Sequence, residues 1–112
     1  MKRVLLIDDD SDFVFLLKKC LEKKNCIVKY VPARKEFPKI VKEFKPEVII
    51  IDILQYDLLY SPPVAKLVSL TPVILMSGKT FKQVAETLPV DEIIDKPFEL
   101  PVLEKKIQKL VY

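Results

Sequence analysis

The sequence predicts an α/β fold, a parallel sheet of five strands covered by helices on both faces. Three observations lead there. Short apolar runs alternate with stretches of helical period along all 112 residues. The run Val48 to Ile51 is apolar at every position, as a central strand covered on both sides would be. Acidic residues stand immediately after two of the apolar runs, at Asp8, Asp9, Asp10 and Asp52, where strands would end.

Val4 to Ile7 is the first predicted strand, and Ser11 or Asp12 can cap the helix that follows. That helix would bury Phe13, Leu16, Leu17, Cys20 and Leu21, at i, i+3, i+4, i+7 and i+8, and close at Asn25. Ile27 to Val31 is the second strand, stopped by Pro32. A helix starting near Glu36 then places Phe37, Ile40, Val41 and Phe44 on one side, with Pro38 in its first turn and Pro46 past its end. Val48 to Ile51 is the third strand. After the double proline Pro62-Pro63 there is room for a third helix of about two turns only. Val73 to Met76 is the fourth strand, with a turn at Ser77 and the single glycine, Gly78. Phe81, Val84, Ala85 and Leu88 give a fourth helix over Thr80 to Leu88, with Pro89 as its stop. Glu92 to Asp95 is the fifth strand, and Leu100, Leu103, Ile107 and Leu110 define a last helix over Glu99 to Leu110.

Composition excludes several classes of function. Hydrophobic residues make up 50% and charged residues 31%, which fits one compact domain over residues 1–112 rather than a disordered chain. The longest strand-like apolar runs are four residues, far below the roughly 20 that span a bilayer, so no membrane role is expected. "MKRVLLIDDD" meets three aspartates too early for a signal peptide, and the cytoplasm is the expected location. With no histidine and only Cys20 and Cys26, the usual zinc and Cys-His sites are out of reach, and the thiols are expected to be buried or partly buried. The net charge of +3 comes from dispersed lysines, with no basic cluster interleaved with aromatics to read nucleic acid.

Right-handed crossovers bring the carboxyl ends of parallel strands to one edge, where ligands bind in doubly wound sheets. That edge would collect Asp8, Asp9 and Asp10 from strand one, Asp52 from strand three, Ser77 from strand four, and Asp95 and Lys96 from strand five. Clustered carboxylates repel unless a cation compensates them, and hard oxygen ligands suit Mg²⁺. A metal, a hydroxyl and an ammonium together would cradle three oxygens of a phosphoryl group, with Asp52 as the nucleophile. Taken singly each residue has a plainer explanation: acids at a helix start, a turn Asp, a turn Ser, a surface Lys. Only their convergence points to chemistry.

"LLIDDD", "VIIID", "VILMSG" and "IIDKPF", in that order, resemble the four landmarks of the receiver domain of two-component response regulators, whose single-domain form is the chemotaxis regulator. The resemblance runs over essentially the whole chain and implies a flavodoxin-like sheet of order 2-1-3-4-5. It implies that Asp9 and Asp52 bind Mg²⁺ directly and Asp8 through water, with the backbone carbonyl of Leu54 completing the set. Asp52 would take a phosphoryl group from a histidine kinase or phosphotransfer protein. Ser77 and Lys96 would each hold a phosphoryl oxygen, and the Lys96-Pro97 bond would be cis. The domain would act as a switch, catalysing only its own phosphorylation and dephosphorylation. Its output would be contact with a downstream target protein through the fourth and fifth helices, as a monomer or weak dimer.

The sequence departs from that pattern at "ILQYDLLY", where the usual Pro and Gly after the phosphoacceptor are missing, and at Ile93, where the family commonly has Tyr or Phe. The stretches from Asp52 to Ser77 and from Ser77 to Lys96 are also short for the family, which implies a truncated third helix and a shortened or shifted fourth. Two rival functions share some of these residues. A dehalogenase-like phosphatase would use Asp8 as nucleophile and Asp10 as acid/base, but needs further acids after the lysine, where only a terminal helix remains. A pseudo-receiver would keep the fold as a protein-binding module without phosphorylation. "SGKT" at residues 77–80 ends like a P-loop, but Val73 stands where its first glycine belongs, so nucleotide binding is not expected.

Overall fold

The computed structural model describes residues 2–111. Strands β1 (Lys2–Ile7), β2 (Cys26–Tyr30), β3 (Val48–Asp52), β4 (Val73–Ser77) and β5 (Glu92–Asp95) form one parallel sheet in the predicted order, β2-β1-β3-β4-β5. Five α-helices accompany them: α1 (Ser11–Glu22), α2 (Phe37–Phe44), α3 (Pro62–Val68), α4 (Lys82–Ala85) and α5 (Leu100–Leu110). Three connections, at residues 34–36, 53–60 and 79–81, also wind into 3-10 helix, so helical segments outnumber the five expected.

The period-two geometry of the strands divides the core into two layers. Leu5, Ile7, Ile49, Ile51 and Leu75 face α2 and α3, while Val4, Leu6, Ile50, Ile74 and Met76 face α1 and α5. Every residue of β3 is buried. Burying an Ile or Leu side chain contributes about 1.5–3 kcal/mol, so this strand alone anchors the register of its neighbours. That register sets Ile7 beside Ile51, Asp52 beside Met76 and Ser77 beside Asp95, which aligns the polar strand ends along one edge.

The helix starting near Glu36 is found with Pro38 in its first turn, and Lys45 ends it in the left-handed region at φ 52°. Three expectations need correction. Helix α1 is capped by Asp10, whose side chain accepts from the Phe13 N–H at 3.2 Å, not by Ser11 or Asp12. Its buried stripe is Val14, Leu17 and Leu21, with Leu16, Phe15 and Cys20 exposed. "FVFLL" is apolar at five consecutive positions, so several helical stripes fit it equally well, and packing on β1 and β2 selects the one through Val14. Cys26 is buried as expected, whereas Cys20 is not.

The fourth helix is shorter than the helical spacing over Thr80 to Leu88, in keeping with the short stretch between Ser77 and Lys96. Only Lys82–Ala85 is α-helical, Ala85 is the buried member, and Phe81 and Val84 face outward. A single turn gains little from hydrogen bonding once nucleation is counted, and Pro89 sets only the outer limit at Leu88. Gly78 has an extended conformation at φ −83°, one that any residue adopts.

Candidate functional site

Two carboxylates and one ammonium meet at the carboxyl edge of the sheet. Asp8 directly follows β1, Asp52 is the last residue of β3, and Lys96 directly follows β5. The Lys96 ammonium donates to Asp52 Oδ1 at 2.9 Å and to Asp8 Oδ2 in a shorter contact. Each carboxylate gives its second oxygen to the backbone: Asp8 Oδ1 accepts from the Asp10 N–H at 3.0 Å and Asp52 Oδ2 from the Leu54 N–H at 2.9 Å. Both acids are buried, with Asp8 5% and Asp52 6% exposed.

Two backbone N–H groups and one ammonium thus provide hydrogen-bond partners for all four oxygens of the covered carboxylates. Burial pushes the Lys96 pKa down, but its hydrogen bonds to Asp8 and Asp52 and their charges more than offset this and leave it raised. The ammonium also lies 4.7 Å from the centre of the Phe13 ring, which stands edge-on to Phe98 at 5.8 Å. Neither aromatic is expected at the site from the sequence: Phe13 is expected on the buried face of α1, and Phe98 stands two residues past Lys96 in "IIDKPF".

Ser77 ends β4 and is fully buried, its hydroxyl donating to the Gly78 carbonyl at 3.1 Å. Its own carbonyl accepts from the Lys96 N–H at 2.8 Å, tying the two strand ends together. The Lys96-Pro97 bond is cis. Asp9 and Asp10 are exposed at the rim, and Asp95 is exposed with Lys82 at 4.0 Å. Of the residues expected here, then, Asp8, Asp52 and Lys96 are in contact, Ser77 lies on the adjoining strand, and Asp9 stands outside.

The stretch that lacks the expected Pro and Gly is a 3-10 helix over Ile53–Tyr60, with Tyr56, Leu58 and Leu59 buried. Runs of this length are uncommon in 3-10 geometry and need side-chain support. Asp52 caps its start, the Tyr56 and Tyr60 hydroxyls share a hydrogen bond at 2.7 Å, and burial raises the Tyr56 pKa together with that bond. Arg34, at the start of the β2–α2 connection, donates to Gln55 Oε1 at 2.5 Å and pairs with Asp57. A cavity of about 130 Å³ lies beneath, between Asp8, Asp9, Tyr30, Arg34 and Gln55.

Two carboxylates against one ammonium leave one negative charge uncompensated under cover, and Asp9 adds another at the rim. Among the described residues no three acids are drawn together into a ready-made metal cage. Mg²⁺ does not need one, because it keeps several waters and binds through one or two carboxylates. The donor set is all hard oxygen and anionic, and it fits such an ion.

The family model of the response regulator receiver domain matches residues 4–108. In sequence the chain is 28% identical over 117 residues to the transcriptional regulatory protein YvcP of Bacillus subtilis, covering 99% of this chain and 49% of that one. It thus spans about half the length of that curated relative. Among solved structures, a response regulator receiver domain protein from Clostridium thermocellum superimposes with a TM-score of 0.84 at 22% identity, covering 98% of this chain and 94% of that one. The chemotaxis protein CheY4 of Vibrio cholerae does so with a TM-score of 0.81 at 18% identity, covering 99% of each. Strand order, the convergence of Asp8, Asp52 and Lys96, and the family match over residues 4–108 all agree: the chain belongs to the response regulator receiver domain family.

Proposed function

We propose that this receiver domain accepts a phosphoryl group on Asp52 from the phosphohistidine of a histidine kinase or phosphotransfer protein, and that the modified domain signals by contact with a target protein in the cytoplasm. One observation carries the proposal: Asp52, buried at the end of the central strand, shares the Lys96 ammonium with Asp8. A turn-forming or helix-capping aspartate has no need of that burial or of that partner.

In the transfer a carboxylate oxygen of Asp52 forms the new O–P bond. The P–N bond to the donor imidazole breaks, and its electron pair stays on that ring nitrogen. Lys96, already against Asp52 Oδ1, can follow a phosphoryl oxygen with little movement, and the Ser77 hydroxyl can rotate from the Gly78 carbonyl to donate to another. The Leu54 N–H fixes the second Asp52 oxygen and so the direction of the first. Asp8, Asp9, Asp52 and the Leu54 carbonyl are the groups to hold Mg²⁺, which would neutralise charge on the transferring group. The acids then serve the metal and the nucleophile together, and the domain turns over only its own phosphorylated form.

Beryllofluoride, a phosphoryl mimic, tests this in the presence of Mg²⁺. Amide shifts around residues 52–60, 77–80 and 96 that vanish in Asp52→Ala support it. No change in the parent protein would identify a protein-binding module that is not phosphorylated. Steady hydrolysis of a generic phosphomonoester would favour phosphatase chemistry instead.

A further inference from the structure

The side of the molecule formed by α2 and α3 carries a groove of about 480 Å³ lined by Pro38, Lys39 and Lys42 from α2 and Pro63, Lys66 and Leu67 from α3. Its floor is apolar: two proline rings, a half-exposed leucine and the aliphatic stems of the lysines. Its rim carries three positive charges and no acid. Among the described residues none of these three lysines pairs with a carboxylate, whereas Lys18, Lys96, Lys106 and Lys109 all do. From Leu58 through Ala85 the chain contains no Asp or Glu, so α3 brings no negative charge to this face.

We propose that this groove binds an acidic helical segment of a partner protein, with apolar side chains set between Lys39, Lys42 and Lys66 and carboxylates answering the three ammoniums. The groove is of the size that takes a few buried side chains. On α2 the lysines lie at 39 and 42, a spacing that puts both on one helix face, and Lys66 of α3 joins them in lining the groove. A membrane surface would instead meet a broad convex apolar face with aromatic residues, and the groove has no aromatic ring. Helix α1 of a second copy is a poor occupant, since its exposed apolar residues, Phe15 and Leu16, are themselves flanked by Lys18 and Lys19. The groove does not include Asp52, and this binding stands apart from the phosphoryl chemistry.

The probe is a synthetic amphipathic peptide of about five helical turns, leucine on one face and glutamate on the other, read by fluorescence anisotropy. Binding to the full chain should weaken as salt rises, and K39E/K42E/K66E should weaken it roughly tenfold or more. Circular dichroism checks that the variant is folded. The milder K39Q/K42Q/K66Q should give an intermediate loss. Equal binding by a peptide with lysine in place of glutamate, an unchanged affinity in the folded glutamate variant, or capture by anionic vesicles in place of the peptide would each overturn the proposal.

Discussion

Strand β5 carries a three-charge cluster at each end, and the two have opposite compositions. Past its carboxyl end one cation, Lys96, serves two acids, Asp8 and Asp52. At its start one acid, Glu92, serves two cations, Lys106 and Lys109 of α5. The first cluster has its acids under cover, while in the second the Lys109 side chain is 70% exposed. Water can answer the spare charge of the second, so it acts as an ordinary tie between β5 and α5. At the first it cannot do so cheaply, and the spare negative charge is left for a ligand. Burial, rather than the number of ion pairs, separates the two roles.

Removing the shared partner from each cluster should expose that difference. Lys96→Met would leave two carboxylates covered without a counter-ion and should cost about 3 kcal/mol in urea unfolding. Added Mg²⁺ should recover more stability in that variant than in the parent, because the ion meets a site with no competing ammonium. A cost below about 1 kcal/mol would mean that the pair is solvated and the contrast unfounded.

The two clusters also respond to pH with opposite sign. The raised Lys96 pKa means that its contribution is complete below the unfolded lysine value and is lost as pH rises through the folded one. The Glu92 pKa is lowered, first by the Lys109 hydrogen bond and then by that of Lys106, so its contribution holds above the unfolded glutamate value and fades as pH falls through the folded one. Unfolding free energies measured across both limbs should lose part of the alkaline slope in Lys96→Met, where the raised Cys26 and Tyr56 pKa values keep the rest, and part of the acid slope in Glu92→Gln. At neutral pH, Glu92→Gln should cost about 1 kcal/mol or less. Lys109→Ala, at the exposed end, should lie within about 0.3 kcal/mol of the parent.

The sequence made the sheet legible because each strand is a short apolar run with a breaker nearby, and Val48 to Ile51 could only be central. Asp8, Asp52, Ser77 and Lys96 were legible for the same reason: they are strand ends, and topology places strand ends together. Helices were less so. In α1 the surplus of apolar residues concealed which stripe is buried, and in α4 helical spacing at Phe81 and Val84 did not say whether anything lay opposite. The 3-10 helix after Asp52 is met from outside by Arg34, 23 residues before Asp57, a contact that no local pattern encodes. Cys20 was assigned to the interior by residue type, and the helix turned it outward.

If Asp52 accepts the phosphoryl group, borohydride reduction should trap it there. The chain is incubated with phosphoramidate and Mg²⁺, reduced with borohydride, digested and sequenced by mass spectrometry. Reduction of an aspartyl phosphate leaves the alcohol homoserine at the modified position. The predicted result is that conversion at position 52 alone, abolished when Mg²⁺ is withheld. Conversion at position 8 or 9 instead, or none at any position in a protein that remains folded, would contradict it.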